Sequence, residues 1–119
     1  MIVTEPSHLV ALLGAYRFHA QDESHLQDAI EKVLRDNGVA FEREVQLSAA
    51  DHPDFMVGGI VLEVKVDGGP SAVARQLCRY AEHDRVQSIV LVTRRRQHAR
   101  AMPPALKGKP ILVLAVGWI

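Results

Sequence analysis

Two runs, SIVLVT at residues 88–93 and ILVLAV at residues 111–116, are rich in β-branched and large aliphatic side chains and lack polar alternation. A strand with one wet face alternates apolar and polar residues, whereas an unbroken apolar strand is buried on both faces. Such strands belong inside a sheet with helices packed on it. The rest of the chain therefore has to supply those helices.

It does so mainly ahead of the two runs. Residues 7–19 read as a short helix with Leu9, Val10, Leu12, Leu13 and Tyr16 on its buried side. Residues 22–37 make a longer one: Leu26, Ala29, Ile30, Val33 and Leu34 recur at helical spacing, and Asn37-Gly38 ends the pattern. AFEREVQL, residues 40–47, alternates as a strand, with Phe41, Val45 and Leu47 facing one way. Strands at 53–57 and 60–66 flank Gly58-Gly59, a two-residue turn whose glycines tolerate the positive φ of tight hairpins. Gly68-Gly69-Pro70-Ser71 breaks the chain and offers Ser71 as an N-cap. Residues 72–83 form a helix with Val73, Gln76, Leu77 and Tyr80 on one side, and a loop or short helix joins the two apolar strands. The expected architecture is one α/β domain over residues 1–119: a mixed sheet with an antiparallel three-strand meander, a crossover helix and flanking helices.

The hairpin places charge in an unusual way. Pairing across Gly58-Gly59 sets Val57 opposite Ile60, Phe55 opposite Leu62 and Asp54 opposite Glu63. Lys65 falls on the same face as Glu63, while Phe55, Val57, Ile60, Leu62, Val64 and Val66 fill the other. Opposed like charges destabilise a sheet, so this face needs compensation. Lys65 offers some, as an ordinary surface salt bridge would. A hard divalent cation such as Mg²⁺ or Mn²⁺ offers more, because such ions bind through one or two carboxylates plus substrate phosphate. Glu23 lies seven residues before Ile30, close to the same helical azimuth, so it is either a first-turn acid or a carboxylate facing the sheet.

Helix with Glu23, Pro53-Asp54, Glu63-Val64-Lys65, then helix with Gln76-Leu77-Cys78-Arg79-Tyr80: in this order the motifs resemble the PD-(D/E)xK nuclease superfamily, in the sub-pattern with Gln-x-x-x-Tyr. The resemblance spans roughly residues 22–93 and implies a restriction-endonuclease-like core. It implies that Asp54, Glu63 and the Val64 carbonyl hold Mg²⁺ or Mn²⁺, and that Lys65 orients or activates the attacking water. Glu23 would complete the site, with Gln27 and Glu31 as competitors for that helix position, and Gln76 and Tyr80 would steady the lysine or a phosphate. The implied activity is metal-dependent hydrolysis of DNA, with RNA left open, endonucleolytic action expected and a dimer the expected assembly. A Holliday-junction resolvase is a special case of that reading. A non-catalytic nucleic-acid-binding or assembly module of the same fold is the alternative.

Net charge is zero, yet residues 1–58 carry four Lys/Arg against ten Asp/Glu and residues 59–119 carry ten against four. TRRRQHAR, residues 93–100, makes Arg94, Arg95, Arg96 and Arg100 candidates for phosphate contacts, or simply a solvated basic loop. The six histidines show no metal-ligand spacing, the lone Cys78 excludes an internal disulfide, and no phosphate-loop, dinucleotide or serine-elbow fingerprint occurs. No apolar run is long enough to span a bilayer and no signal-type segment follows Met1, so the expectation is a cytoplasmic protein without a membrane partner.

Overall fold

The computed structural model describes residues 1–19 and 22–116. In chain order the elements are α1 (Pro6–Gly14), α2 (Glu23–Asp36), β1 (Glu42–Arg43), β2 (Phe55–Val57), β3 (Ile60–Lys65), α3 (Pro70–Ala81), β4 (Ser88–Thr93), α4 (Arg96–Ala101), β5 (Ala105–Leu106) and β6 (Lys109–Ala115). They build a six-stranded mixed sheet of order β1-β2-β3-β4-β6-β5. The meander β1-β2-β3 is antiparallel, and β3, β4 and β6 run parallel. The parallel pairs need crossovers, which α3 and α4 provide. None of the helices among the described residues is long and apolar enough to cross a membrane.

Each face of the sheet is covered by its own core. On one face Leu9 and Leu13 of α1 and Leu26, Ile30 and Leu34 of α2 pack with Phe55, Val57, Ile60, Leu62, Val64, Val90 and Val92. On the other, Val73, Leu77 and Tyr80 of α3 pack with Met56, Val61, Ile89 and Leu91. Every residue of β4 is buried, as its unbroken apolar sequence requires. β6 is only half-buried at Leu112, Val113 and Leu114, because β5 pairs with it over just Lys109 and Pro110.

Four local expectations need correction. The strand expected over 40–47 is confined to Glu42–Arg43, because Glu44 adopts φ +56° and turns the chain. Phe41 consequently packs in the first core, its ring 5.9 Å from Phe55, while Val45 and Leu47 join the second. Tyr16 lies beyond the end of α1 and is 42% exposed, so it is not on a buried face. The N-cap of α3 is Gly69, with Pro70 in the first turn, where its fixed φ suits the helix and its missing N–H costs nothing; Ser71 is already helical. The face carrying Glu63 is not an open charged surface but lies under α3.

The β2–β3 register is the expected one: Val57 pairs with Ile60, Met56 with Val61 and Phe55 with Leu62. Gly58 sits at φ +58°, and a Cβ there would meet only the Val3 carbonyl, at 3.5 Å. Space is not the constraint, so Gly58→Ala tests the backbone conformation alone. We expect a loss of about 1–2 kcal/mol, the cost of a left-handed L-residue, read as a lower denaturant midpoint at unchanged slope. A neutral substitution would show that the turn does not set the hairpin.

Candidate functional site

The site grows from the way β2 begins. The Glu44 N–H donates to the Asp54 carbonyl at 2.8 Å, which pins the backbone just before the strand. Across the ladder, the Asp54 N–H donates to Glu63 Oε1 at 2.9 Å, and the Val64 N–H donates to Asp54 Oδ2 at 2.8 Å. Each carboxylate thus accepts from the backbone of the other's strand. These reciprocal bonds hold two acids together that would otherwise repel, and they fix both orientations.

Glu63 lies deepest, at 2% exposure. Its Oε2 accepts from the Tyr80 hydroxyl at 3.0 Å and stands 3.5 Å from Lys65 Nζ. Tyr80 arrives on the buried stripe of α3, one turn beyond Leu77, with its ring in the second core. Glu23, in the first turn of α2, reaches the same end of the sheet, where the Val66 N–H donates to its Oε1 at 3.4 Å. The other two candidates on α2 turn elsewhere. Arg43 donates to Gln27 at 3.3 Å and to Glu31 at 2.7 Å while its guanidinium lies 5.5 Å from the centre of the Phe55 ring. Of the three α2 side chains, only Glu23 comes to the hairpin acids.

Burial dominates the electrostatics. It pushes the Glu63 carboxyl from 4.5 up to about 8, with the Asp54 charge adding to it and the Asp54 amide, Lys65 and Tyr80 opposing it. Burial also raises Asp54; the Val64 amide opposes this, and the Glu23 charge adds to it. The Tyr80 hydroxyl is raised by burial and by the Glu63 charge, so it stays a hydrogen-bond donor. Without a cation, this cluster therefore keeps a proton at neutral pH.

Several side chains lie apart from these contacts. Gln76 lines a groove beside Lys65 and makes no hydrogen bond to the other site side chains among the described residues. Of the expected phosphate contacts, Arg94 is buried, so it is not on the surface available to a backbone. Arg95 stands 3.5 Å from Asp67, and Arg96 and Arg100 are exposed on α4. No group of three or more His, Cys, Asp or Glu among the described residues is arranged to hold a metal ion.

Sequence reasoning missed two supports. Asp51, 7% exposed, accepts from Arg79 Nε at 3.0 Å and pairs with His83 Nε2 at 2.9 Å, which ties the loop before Asp54 to the end of α3. His98 is fully buried in the TRRRQHAR segment. Its Nε2 donates to the Gly68 carbonyl, which can only accept, at 2.7 Å, and its Nδ1 shares a 2.7 Å hydrogen bond with the Thr93 hydroxyl. Neither role has a spacing signal, because the Asp51 contacts and the His98–Gly68 contact join distant segments. Family models, curated proteins and solved structures, compared with this chain, give no match.

Proposed function

We propose that the chain is a metal-dependent nuclease that hydrolyses phosphodiester bonds in DNA, with a restriction-endonuclease-like core of PD-(D/E)xK type. The observation that carries this reading is the cross-bonded Asp54–Glu63 pair with Lys65 at 3.5 Å, at the end of the sheet where Glu23 also arrives. Asp54 and Glu63 are both raised, chiefly by burial, and a bound divalent cation would offset that cost beyond what Lys65 does.

The donors fit a hard divalent cation. All are oxygens, and Mg²⁺ or Mn²⁺ takes one or two carboxylates with the remaining positions left to water and substrate. Asp54, Glu63 and the Val64 carbonyl would hold the ion, with Glu23 close by. When bound, it supplies Lewis acidity and a more acidic water. The chain's own groups do the rest. Lys65 orients the attacking water and donates to the phosphate, and Tyr80 holds Glu63 in its rotamer. Arg95 and Arg96 stand where β4 leads into α4, just beyond Thr93, the strand partner of Lys65, and Arg100 lies in the last turn of α4.

The second reading, a nucleic-acid-binding module without catalysis, draws on the fact that no group of three or more His, Cys, Asp or Glu among the described residues is placed to hold a metal ion. Metal titration separates the two. A ligand at 100 times its Kd stabilises the native state by about 2.7 kcal/mol. Mg²⁺ or Mn²⁺ is therefore expected to raise the melting temperature, and Asp54→Asn to remove most of the rise. An identical response in the variant would place the ion elsewhere, and plasmid nicking that persists in EDTA would sink the metal-dependent reading.

A further inference from the structure

On the α3 side of Lys65 runs a groove of about 350 Å³ lined by Lys65, Asp67, Gly68, Val73, Gln76 and two arginines, Arg75 and Arg79. Three cations face one acid there, and that acid, Asp67, is already paired with Arg95 at 3.5 Å. Arg75 is exposed and has no acidic partner among the described residues. Arg79 uses its Nε on Asp51 at 3.0 Å, and its terminal nitrogens have no hydrogen-bond partner among the described residues. Arg75 and Arg79 stand four residues apart on a helix, so they form one continuous ridge.

The helix adds to the same field. Gly69, the N-cap of α3, supplies no side-chain hydrogen bond, and the first turn contains no acid. Pro70 has no N–H and the Val73 N–H donates to the Gly69 carbonyl, so the Ser71 and Ala72 amides and the positive end of the helix dipole are what this turn offers an anion. Ala72 lines the groove within that turn and keeps it open.

We propose that this groove holds the phosphates of a single nucleic-acid strand next to the bond at Lys65, with Arg75 and Arg79 as its clamps. The assignment rests on the nuclease reading for where the strand leads, but not for the binding itself. Arg75 and Arg79 form a single ridge on α3, with Lys65 lining the same groove, so the cations come from one helix and one strand end rather than from two facing walls. That favours a single strand over the two separated backbones of a duplex.

The test uses the full chain in EDTA, with fluorescence anisotropy of labelled dT20 across a salt series and rU20 and a 20-base-pair duplex beside it. Arg75→Ala is expected to weaken dT20 binding and lower the slope of log K against log salt by about 0.7, one phosphate's share on a single strand. Ala72→Glu is the stronger probe. An acid in the first turn suits the helix dipole, so the melting temperature should hold, while dT20 affinity should fall by roughly tenfold or more from a charge facing the phosphates. Binding of rU20 with the same losses supports the groove as a site for either sugar. The proposal is overturned if dT20 does not bind, if both variants bind it as the unmodified chain does, or if only the duplex responds. Cleavage by the unmodified chain with Mn²⁺ is scored separately. Losses in both variants without any cleavage would keep the groove and remove the nuclease reading; cleavage with unchanged binding would do the reverse.

Discussion

Lys65→Ala should abolish most DNA cleavage while leaving the fold and substrate binding nearly intact. Lys65 is the cation at the carboxylate pair, its Nζ 3.5 Å from Glu63 Oε2, and its side chain is 21% exposed. In the proposed nuclease, a group in that position would meet both the attacking water and the scissile phosphate. Positioned proton-transfer and charge-stabilising groups are worth about 10²- to 10⁴-fold in rate. Affinity depends instead mainly on exposed arginines such as Arg75 and Arg96, so removing the Lys65 ammonium, which already faces Glu63, should change it less. The loss should therefore appear in turnover at saturating DNA rather than in the concentration needed to saturate. Arg96→Ala, on exposed α4, should do the opposite. Retention of full turnover by Lys65→Ala would reject the nuclease reading of this strand and bring the binding module forward.

The second large effect concerns the stability of the metal-free protein. Glu63 is raised from 4.5 to about 8 in the folded chain, chiefly by burial. Between those values the native state keeps a proton that the unfolded chain has lost, so the native state binds more protons and stability falls as pH rises. The contribution is fully present below about pH 4.5 and gone above about pH 8, and its size is on the order of a few kcal/mol. In EDTA, unfolding should thus require less denaturant at pH 8.5 than at pH 5.5. Glu63→Gln removes the titration, and its stability should vary much less over that interval. Below about pH 4.5 the variant should gain nothing, since the acid is neutral in both the folded and the unfolded chain there. At pH 8.5 it should be the more stable chain. Added Mg²⁺ should help the unmodified protein more at pH 8.5 than at pH 6, because binding competes with the proton. Equal pH dependence in the two proteins would show that Glu63 ionises normally.

Glu63 illustrates how far the sequence alone goes. A two-residue turn at Gly58-Gly59 leaves one register for the strands on either side, and a one-residue slip would exchange both faces. The opposition of Asp54 and Glu63 was thus legible from local rules, and so were α2, from its apolar spacing, and β4, from its unbroken apolar run. These features depend on residues a few positions apart, where chain geometry decides who meets whom.

Tertiary structure decided the environment of those same residues. Alternation in β3 separates two sets of side chains, but it does not say that α3 will cover the charged set. Burial under Tyr80 and Leu77 is what turns an ordinary Glu-x-Lys strand into a perturbed acid pair. Likewise, three consecutive arginines look equivalent in sequence, yet Arg94 is buried while Arg96 stands in solvent, because the chain turns from β4 into α4 between them. Glu44 ended a strand whose alternation continued, since its left-handed backbone depends on the Asp54 carbonyl across the ladder. Glu23 was separated from Gln27 and Glu31 only by Arg43, which comes from a strand and takes the latter two. Desolvation and partner choice are set by whatever packs on top of a residue, and here that came from segments 12 to 43 positions away in the chain.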